Sequence, residues 1–202
     1  MKTNLLVLVV TCAIGRGTVA QSAERDWNAV KSWVYQLTDY RDNRLDEITK
    51  ASFDLAVIDL ARDGASDYFE AGEIESLAKS GKIVLAYFEI GAIEKYRPEW
   101  DRLPGDLKAG NVNGWPEEQY VKYWDERWWR IVEGRIDQAL KAGFDGAYLD
   151  MITTYEEIPG SGVGVEERAH KMVDLIARIS TYAKSKNPAF KIVPQNCPEL
   201  YT

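Results

Sequence analysis

Strand-length apolar runs alternate along this chain with longer stretches of helical periodicity, and this alternation restricts the fold more than any other feature. Runs such as 55–60 and 82–88 are mostly apolar, which is typical of strands buried on both faces of a parallel sheet. The predicted strands are 33–37, 55–60, 82–88, 146–150 and 191–194, with a weaker one at 120–124. Alternation of this kind predicts an α/β fold with parallel strands.

Helical spacing of apolar residues predicts three helices, at 69–80, 126–142 and 165–185. Asp125 is a favourable N-cap for the second helix, and Gly143 is placed to end it. The helices fall between predicted strands, as a chain that crosses over one face of a parallel sheet requires. No Pro/Gly/Ser-rich linker divides the chain, so a single domain is expected.

The N-terminus has the pattern of a secretory signal peptide at residues 1–20. Lys2 provides a positive start, residues 5–14 are almost wholly apolar, and small residues follow. The apolar run is shorter than the roughly 20 residues that span a bilayer. We therefore predict a secreted or periplasmic protein with a mature domain at 21–202; the alternatives are a buried N-terminal element or a lipid anchor at Cys12.

The charge of the chain restricts its partners. The formal net charge is −7, and loss of the predicted signal peptide would remove Lys2 and Arg16 and lower it to −9. An acidic surface disfavours nucleic acids and anionic membranes, so a neutral or polycationic polysaccharide is the expected partner. Cys197 would be the one thiol left, so the mature chain, expected to be a monomer, must be held by its core.

The sequence lacks the motifs of most other chemistries. It has no phosphate-binding loop, no Gly-x-Ser-x-Gly and no Cys-x-x-Cys, and its single histidine, His170, lies within a predicted helix. We expect His170 to be a surface or packing residue, and we expect neither a metal nor a cofactor. Carboxylates remain as the candidate reactive groups.

Three carboxylates stand at predicted strand ends: Asp59, Glu89 and Asp150. The carboxyl ends of parallel strands form the active face of a (β/α) barrel, and a pair of carboxylates is sufficient to cleave a glycosidic bond. We predict all three as catalytic. As alternatives, Asp59 could pair with Arg62 or cap the next turn, and Glu89 could pair with Arg97.

Several blocks of the sequence resemble a known family. The segment Phe144-Asp-Gly-Ala-Tyr-Leu-Asp150, followed by Tyr155-Glu156, is similar to the signature of the α-1,4-polygalactosaminidases, glycoside hydrolase family 114, and of related secreted glycosidases. The similarity covers residues 27–198. Further matching blocks are 33–37, 57–64, 85–97, 115–116 and 121–125.

This resemblance implies a (β/α)8 TIM-barrel type of fold and hydrolysis of an α-linked, galactosamine-type polysaccharide. Asp150 matches the family's catalytic aspartate, Asp59 and Arg62 match polar pocket positions, and Tyr35, Tyr87 and Trp124 match sugar-stacking positions. Together with the strand-end positions, this gives the predicted substrate-binding residues Tyr35, Arg62, Asp63, Tyr87, Trp124, Tyr148, Gln195 and Asn196.

The sequence also departs from the family. Glu89 stands where many relatives have a small residue, and Ala92 stands where some have an acid. A barrel of this type usually needs about 250 residues, and relatives continue through two more strands that include a second catalytic carboxylate. We therefore predict a TIM-barrel type truncated after about six strands. A non-catalytic polysaccharide-binding protein and an inactive barrel fragment remain as alternatives.

Overall fold

The computed structural model describes residues 26–201, so the predicted signal peptide at 1–20 lies outside the described residues. Within that range the strands are β1 (Trp33–Gln36), β2 (Leu55–Asp59), β3 (Ile83–Glu89), β4 (Ala92–Glu94), β5 (Lys108–Val112), β6 (Trp115–Val121), β7 (Gly146–Asp150) and β8 (Lys191–Pro194). The α-helices are α1 (Asp46–Lys50), α2 (Ala71–Lys79), α3 (Glu126–Ala142), α4 (Thr154–Glu157) and α5 (Val165–Lys186).

Five of the strands form one parallel sheet in the order β1-β2-β3-β7-β8. One face, with Ile58, Phe88 and Leu149, is buried in the same core as residues of α2, α3 and α5. The opposite face carries a second buried cluster that includes Val57 and Leu85. Parallel strands covered by helices on one face are the layers of a (β/α) barrel wall, so the predicted fold type is confirmed; the sheet is open between β1 and β8.

The helix boundaries agree with the capping signals in the sequence. The side chain of Asp125 accepts a hydrogen bond from the backbone N–H of Arg127 at 2.8 Å, and Gly143 ends α3 with a left-handed φ of 88°. α2 and α5 lie within one or two residues of their predicted ranges. None of the helices within residues 26–201 is both long and apolar enough to cross a membrane.

The weaker strand predicted at 120–124 is wrong in its bounds and in its sheet. Only residues 120–121 are strand, at the end of β6, which pairs antiparallel with β4 and β5 in a separate three-stranded sheet and does not join the parallel sheet. The turn between β5 and β6 is Asn113-Gly114, where Gly114 has a φ of 80°. Asn-Gly between two strands is a strong hairpin signal, and a hairpin produces antiparallel pairing.

The antiparallel sheet begins directly where β3 ends. The backbone N–H of Val121 donates to the carbonyl of Gly91 at 3.0 Å, which holds β6 against the start of β4. Gly91 itself packs so closely that an added Cβ would lie 2.1 Å from the carbonyl oxygen of Met151 and 2.4 Å from Oγ1 of Thr154. The antiparallel sheet is therefore fixed at the carboxyl ends of β3 and β7.

We expect Gly91→Ala to lower the free energy of unfolding by about 1–3 kcal/mol, because the new methyl group would overlap a backbone atom that has little room to move. Gly134→Ala is the matched control: its site in α3 has no atom within 4 Å of an added Cβ. This control should raise the free energy of unfolding by about 0.5–1 kcal/mol. Chemical denaturation measures both values, and equal effects would contradict the packing described for Gly91.

Candidate active site

The three predicted catalytic carboxylates lie at neighbouring strand ends. Glu89 on β3 is the register partner of Asp150 on β7, and Asp59 on β2 is the partner of Tyr87. Tyr87 is also in register with Tyr148 on β7. Since residues in register on parallel strands point to the same face, these side chains share one end of the sheet.

Arg97, in the turn after β4, binds most of the acidic groups there. It donates to both oxygens of Asp59 at 2.9 Å, to Oε2 of Glu89 at 3.3 Å and to Oε2 of Glu94 at 2.7 Å. The side chains of Arg97, Asp59 and Glu89 are 4%, 3% and 1% exposed. We call Arg97 and these three carboxylates the Arg97 network.

This network changes the interpretation of two predicted catalytic residues. Glu89 does pair with Arg97, and Asp59 both pairs with Arg97 and caps the next turn by accepting from the N–H of Ala61 at 2.9 Å. The predicted alternative partner of Asp59, Arg62, is not involved. Because both carboxylates are buried and occupied, their placement favours a positioning role over direct contact with a substrate.

A second buried cation, Arg135 of α3, supports the same end of β3. Its Nη1 donates to the backbone carbonyl of Glu89 at 2.8 Å, and its Nη2 lies 3.6 Å from Oε1 of that residue. Burial opposes ionisation of Glu89, but Arg97 and Arg135 outweigh it and lower its pKa. Burial and the neighbouring Glu89 raise the pKa of Glu94, against the opposing effect of Arg97.

Asp150 differs from the other two carboxylates because it is half-buried and bound only by neutral donors. Its Oδ2 accepts from the hydroxyl of Tyr87 at 2.7 Å, and its Oδ1 accepts from the backbone N–H of Met151 at 2.7 Å. Burial, Glu89 and Asp150 raise the pKa of Tyr87, which keeps its hydroxyl protonated as a donor. Met151 has a φ of 59°, a conformation that non-glycine residues seldom adopt and that is frequent at functional sites.

Four aromatic side chains line the sheet beside Asp150: Trp33, Tyr35, Tyr87 and Tyr148. We call them the aromatic wall. The ring of Tyr35 lies 5.8 Å from Tyr87 and 5.9 Å from Tyr148, and Trp33 lies 6.3 Å from Tyr148. Trp33 and Tyr35 are 53% and 42% exposed, so their surfaces remain available. Trp33 was not predicted, although its spacing of two from Tyr35 in a strand places both on one face.

Two other residues predicted to bind the substrate, Arg62 and Asp63, have partners within the protein. Arg62 forms a bidentate pair with Glu73 at 2.9 Å and also contacts Asp67 at 3.0 Å. Asp63 accepts from the backbone N–H groups of Ala65 and Asp67, which shapes the loop after β2. Contacts of Arg62 and Asp63 with a substrate stay predictions.

The remaining residues predicted to bind the substrate lie in two separate places. Gln195 follows the register pair Leu149–Pro194, beside Asp150, and its buried Oε1 has no hydrogen-bond donor among residues 26–201. Asn196 is exposed next to it. Trp124, in contrast, lines a separate cavity of about 200 Å³ between the start of α3 and α5. It is placed there because β6, which precedes it, belongs to the antiparallel sheet.

The antiparallel sheet contributes an acid that sequence reasoning missed. Glu118 of β6 is the cross-strand partner of Glu94, is half-buried, and has no ion-pair or hydrogen-bond partner in the described part of the chain. Burial, Glu89 and Asp150 raise its pKa to about 7, against an opposing effect of Arg97. The Asn113-Gly114 hairpin signal was the sequence feature that could have placed β6, and with it Glu118, beside the strand ends.

Replacing Arg97 with methionine should destabilise the protein by about 3–5 kcal/mol, since it leaves buried carboxylates without their cation. Arg127→Met is the control: Arg127 is 49% exposed and pairs with a 63% exposed Asp106, so a change below about 1 kcal/mol is expected. Urea titration measures the difference. Similar losses for the two variants would show that the Arg97 network does not hold the site together.

Several known proteins are similar to this chain in sequence or in fold. Relatives that match the chain include uncharacterised proteins of Methanocaldococcus jannaschii, 36% identical over 83% of this chain, and of Deinococcus radiodurans, 34% identical over 86%. A third, from Thermotoga maritima, is 30% identical over 97%. The matches cover 49%, 56% and 62% of these relatives, so the chain spans about half to three fifths of their length.

Similar solved structures include Ega3 of Aspergillus fumigatus in complex with galactosamine, at a TM-score of 0.66 and 21% identity over 84% of this chain and 59% of that one. The glycoside hydrolase domain of PelA from Pseudomonas aeruginosa has a TM-score of 0.65 and 16% identity, over 83% and 60%. At these identities the likeness concerns the fold. A sequence model of glycoside-hydrolase family GH114 matches residues 16–202, and the chain therefore belongs to that family.

Proposed function

We propose that the protein is a secreted glycoside hydrolase that cleaves an α-linked, galactosamine-type polysaccharide, with Asp150 as the central carboxylate. The observation that carries this proposal is the position of Asp150: half-buried and oriented by Tyr87, whose ring lies 5.8 Å from the exposed ring of Tyr35. Membership of family GH114 and the fold shared with Ega3 support the proposal, and the galactosamine in the Ega3 complex supports the choice of sugar.

Glycosidic cleavage needs an ionised carboxylate at the anomeric carbon and an acid that protonates the leaving oxygen. In this proposal Asp150 is the ionised carboxylate, which either attacks the anomeric carbon or activates water. The hydrogen bonds from Tyr87 and Met151 hold both of its oxygens in place before the substrate arrives. Such pre-organisation lowers the barrier because little reorganisation is left to the reaction step.

Asp59 and Glu89 act as positioning residues in this proposal. They hold Arg97, and through it the turn after β4, and both are buried away from the protein surface. The aromatic wall supplies apolar ring faces on which sugar rings can stack. Gln195, whose amide oxygen has no donor among the described residues, would accept a hydrogen bond from a sugar hydroxyl. Secretion of the protein is proposed from residues 1–20 alone.

A second candidate is a polysaccharide-binding protein without catalysis. The burial of Asp59 and Glu89 in ion pairs favours it, because two of the three predicted catalytic carboxylates are then unavailable. The two candidates differ in one result: a binding protein would retain the polymer on the aromatic wall and release no shorter product.

Asp150→Asn should lower kcat on α-1,4-linked galactosamine oligomers by about 10²–10⁴-fold. Asparagine keeps an acceptor for the Tyr87 hydroxyl but removes the charge, so folding and binding should persist. Release of reducing ends measures the rate. Asp101→Asn, at an exposed position, is the control and should leave the rate unchanged. Full activity in the Asp150 variant would refute the proposed role, and a wild type that binds but releases no product would favour the second candidate.

Removal of an exposed ring from the aromatic wall should weaken binding. We expect Trp33→Ala to raise the Kd for an oligosaccharide about three- to tenfold, the equivalent of roughly 0.5–1.5 kcal/mol. Phe53→Ala is the control, since Phe53 is also exposed, at 38%, but is in ring contact with none of the four residues of the aromatic wall. Quenching of intrinsic tryptophan fluorescence or calorimetry gives both constants. An unchanged Kd in Trp33→Ala would remove this ring from the binding surface.

A further inference from the structure

Glu118 lies on the same face of the antiparallel sheet as Glu94 of the Arg97 network. It is directly opposite Glu94 in the antiparallel sheet, and directly opposed residues have their side chains on one face, about 4.5–5.5 Å apart at Cβ. Glu94 bonds Arg97 at 2.7 Å, and Arg97 bonds Asp59 and Glu89 at the strand ends. This chain of contacts shows that the shared face of β4 and β6 is turned toward the parallel sheet.

The cations of this region are already occupied. Arg97 binds three carboxylates, and Arg135 lies between Glu89 and Glu99. Glu118 therefore stands opposite another acidic residue, Glu94, with no cation paired to it in the described part of the chain. Glu89 and Asp150 disfavour its charged form, so a ligand that supplies positive charge would stabilise its carboxylate.

We propose that Glu118 is the residue that selects a cationic amino sugar over a neutral or N-acetylated one, with its carboxylate accepting hydrogen bonds from the ammonium group of the sugar. The inference rests on the proposed function, since it assigns the sugar specificity of the same site, the one at Asp150. An ammonium group offers three donors and a full positive charge, and acetylation removes the charge and leaves one donor. The discrimination therefore depends on one substituent of the ring.

The titration of Glu118 agrees with this role. The titratable groups around it are Glu94 from β4, Glu89 from β3, Asp150 from β7 and Arg97. Burial and the acidic neighbours raise its pKa from 4.5 to about 7. In the free protein the carboxyl group thus holds a proton at weakly acidic pH, and an arriving ammonium group would displace that proton.

This elevated pKa also affects stability. A folded-state pKa above the unfolded value means that the folded state binds more protons between about pH 4.5 and pH 7. The free energy of unfolding should therefore fall as the pH rises through that interval, and Glu118→Gln should reduce the fall. This readout is independent of any sugar and also reports whether the variant folds.

The test compares binding of galactosamine, N-acetylgalactosamine and galactose at about pH 7. These monosaccharides contain no glycosidic bond, so hydrolysis does not interfere. The wild type should prefer galactosamine, and Glu118→Gln should lose about tenfold or more of that preference, with unchanged Kd for the neutral sugars. Glu118→Asp keeps the charge and should retain the preference at lower affinity. Glu117→Gln is the control, since Glu117 is the adjacent strand residue and pairs with Lys95 at 3.0 Å.

The outcomes separate this inference from the proposed function. If the wild type prefers galactosamine and Glu118→Gln keeps the full preference, the assignment of Glu118 is overturned while the proposed function stands. If Glu117→Gln loses the preference to the same extent, the loss reflects a change in the whole β5–β6 hairpin and not in Glu118. The assignment then also fails. A wild type that neither binds these sugars nor cleaves the polymer overturns both.

Discussion

The ion pairs of the buried Arg97 guanidinium are the interaction on which the arrangement of the two sheets depends. Arg97 joins carboxylates from β2, β3 and β4, and so ties the antiparallel sheet to the carboxyl ends of the parallel strands. Removal of such ions from water is costly, and the arrangement is tolerable only because each carboxylate is bonded. Its value lies in specifying one geometry: with Arg97 satisfied, the turn after β4 has few other positions that leave no charge unpaired.

The same network divides the acidic residues into two groups. Asp59 and Glu89 are paired with Arg97 and Arg135 inside the protein, whereas Asp150 on the parallel sheet and Glu118 on the antiparallel sheet remain half-buried. The two groups experience different environments, which is how proteins give different roles to chemically identical side chains. Asp150 is held by neutral donors and is assigned to the reaction, and Glu118 lacks a partner and is assigned to recognition of the substrate.

Local signals in the sequence predicted the parts of the fold that depend on neighbouring residues. The apolar runs located the strands of the parallel sheet, and Asp125 and Gly143 located both ends of α3. The family resemblance picked out Tyr35 and Tyr87, whose rings lie 5.8 Å apart on the face that carries Asp150. The strands and the helix ends depend on the spacing of apolar residues and on capping residues, and both can be identified in a single sequence.

The features that were missed depend on contacts between distant parts of the chain. Arg97 reaches Asp59 across 38 residues, and Arg135 reaches the Glu89 carbonyl across 46, so neither pair leaves a local pattern. An arginine on the buried face of α3 does require an acidic partner, but its position does not identify which one. The strand predicted at 120–124 was assigned to the wrong sheet for a related reason, because strand propensity does not distinguish a parallel neighbour from an antiparallel hairpin. Contact of Trp124 with a substrate stays a prediction.

The most direct test of hydrolysis by this protein is cleavage of an α-1,4-linked galactosamine oligomer in ¹⁸O-labelled water. The masses of the products are then measured by mass spectrometry. Hydrolysis with either stereochemical outcome predicts shorter oligomers that carry one ¹⁸O atom at the anomeric carbon of the new reducing end. Oligomers recovered intact, or shortened products without the label, would contradict the account.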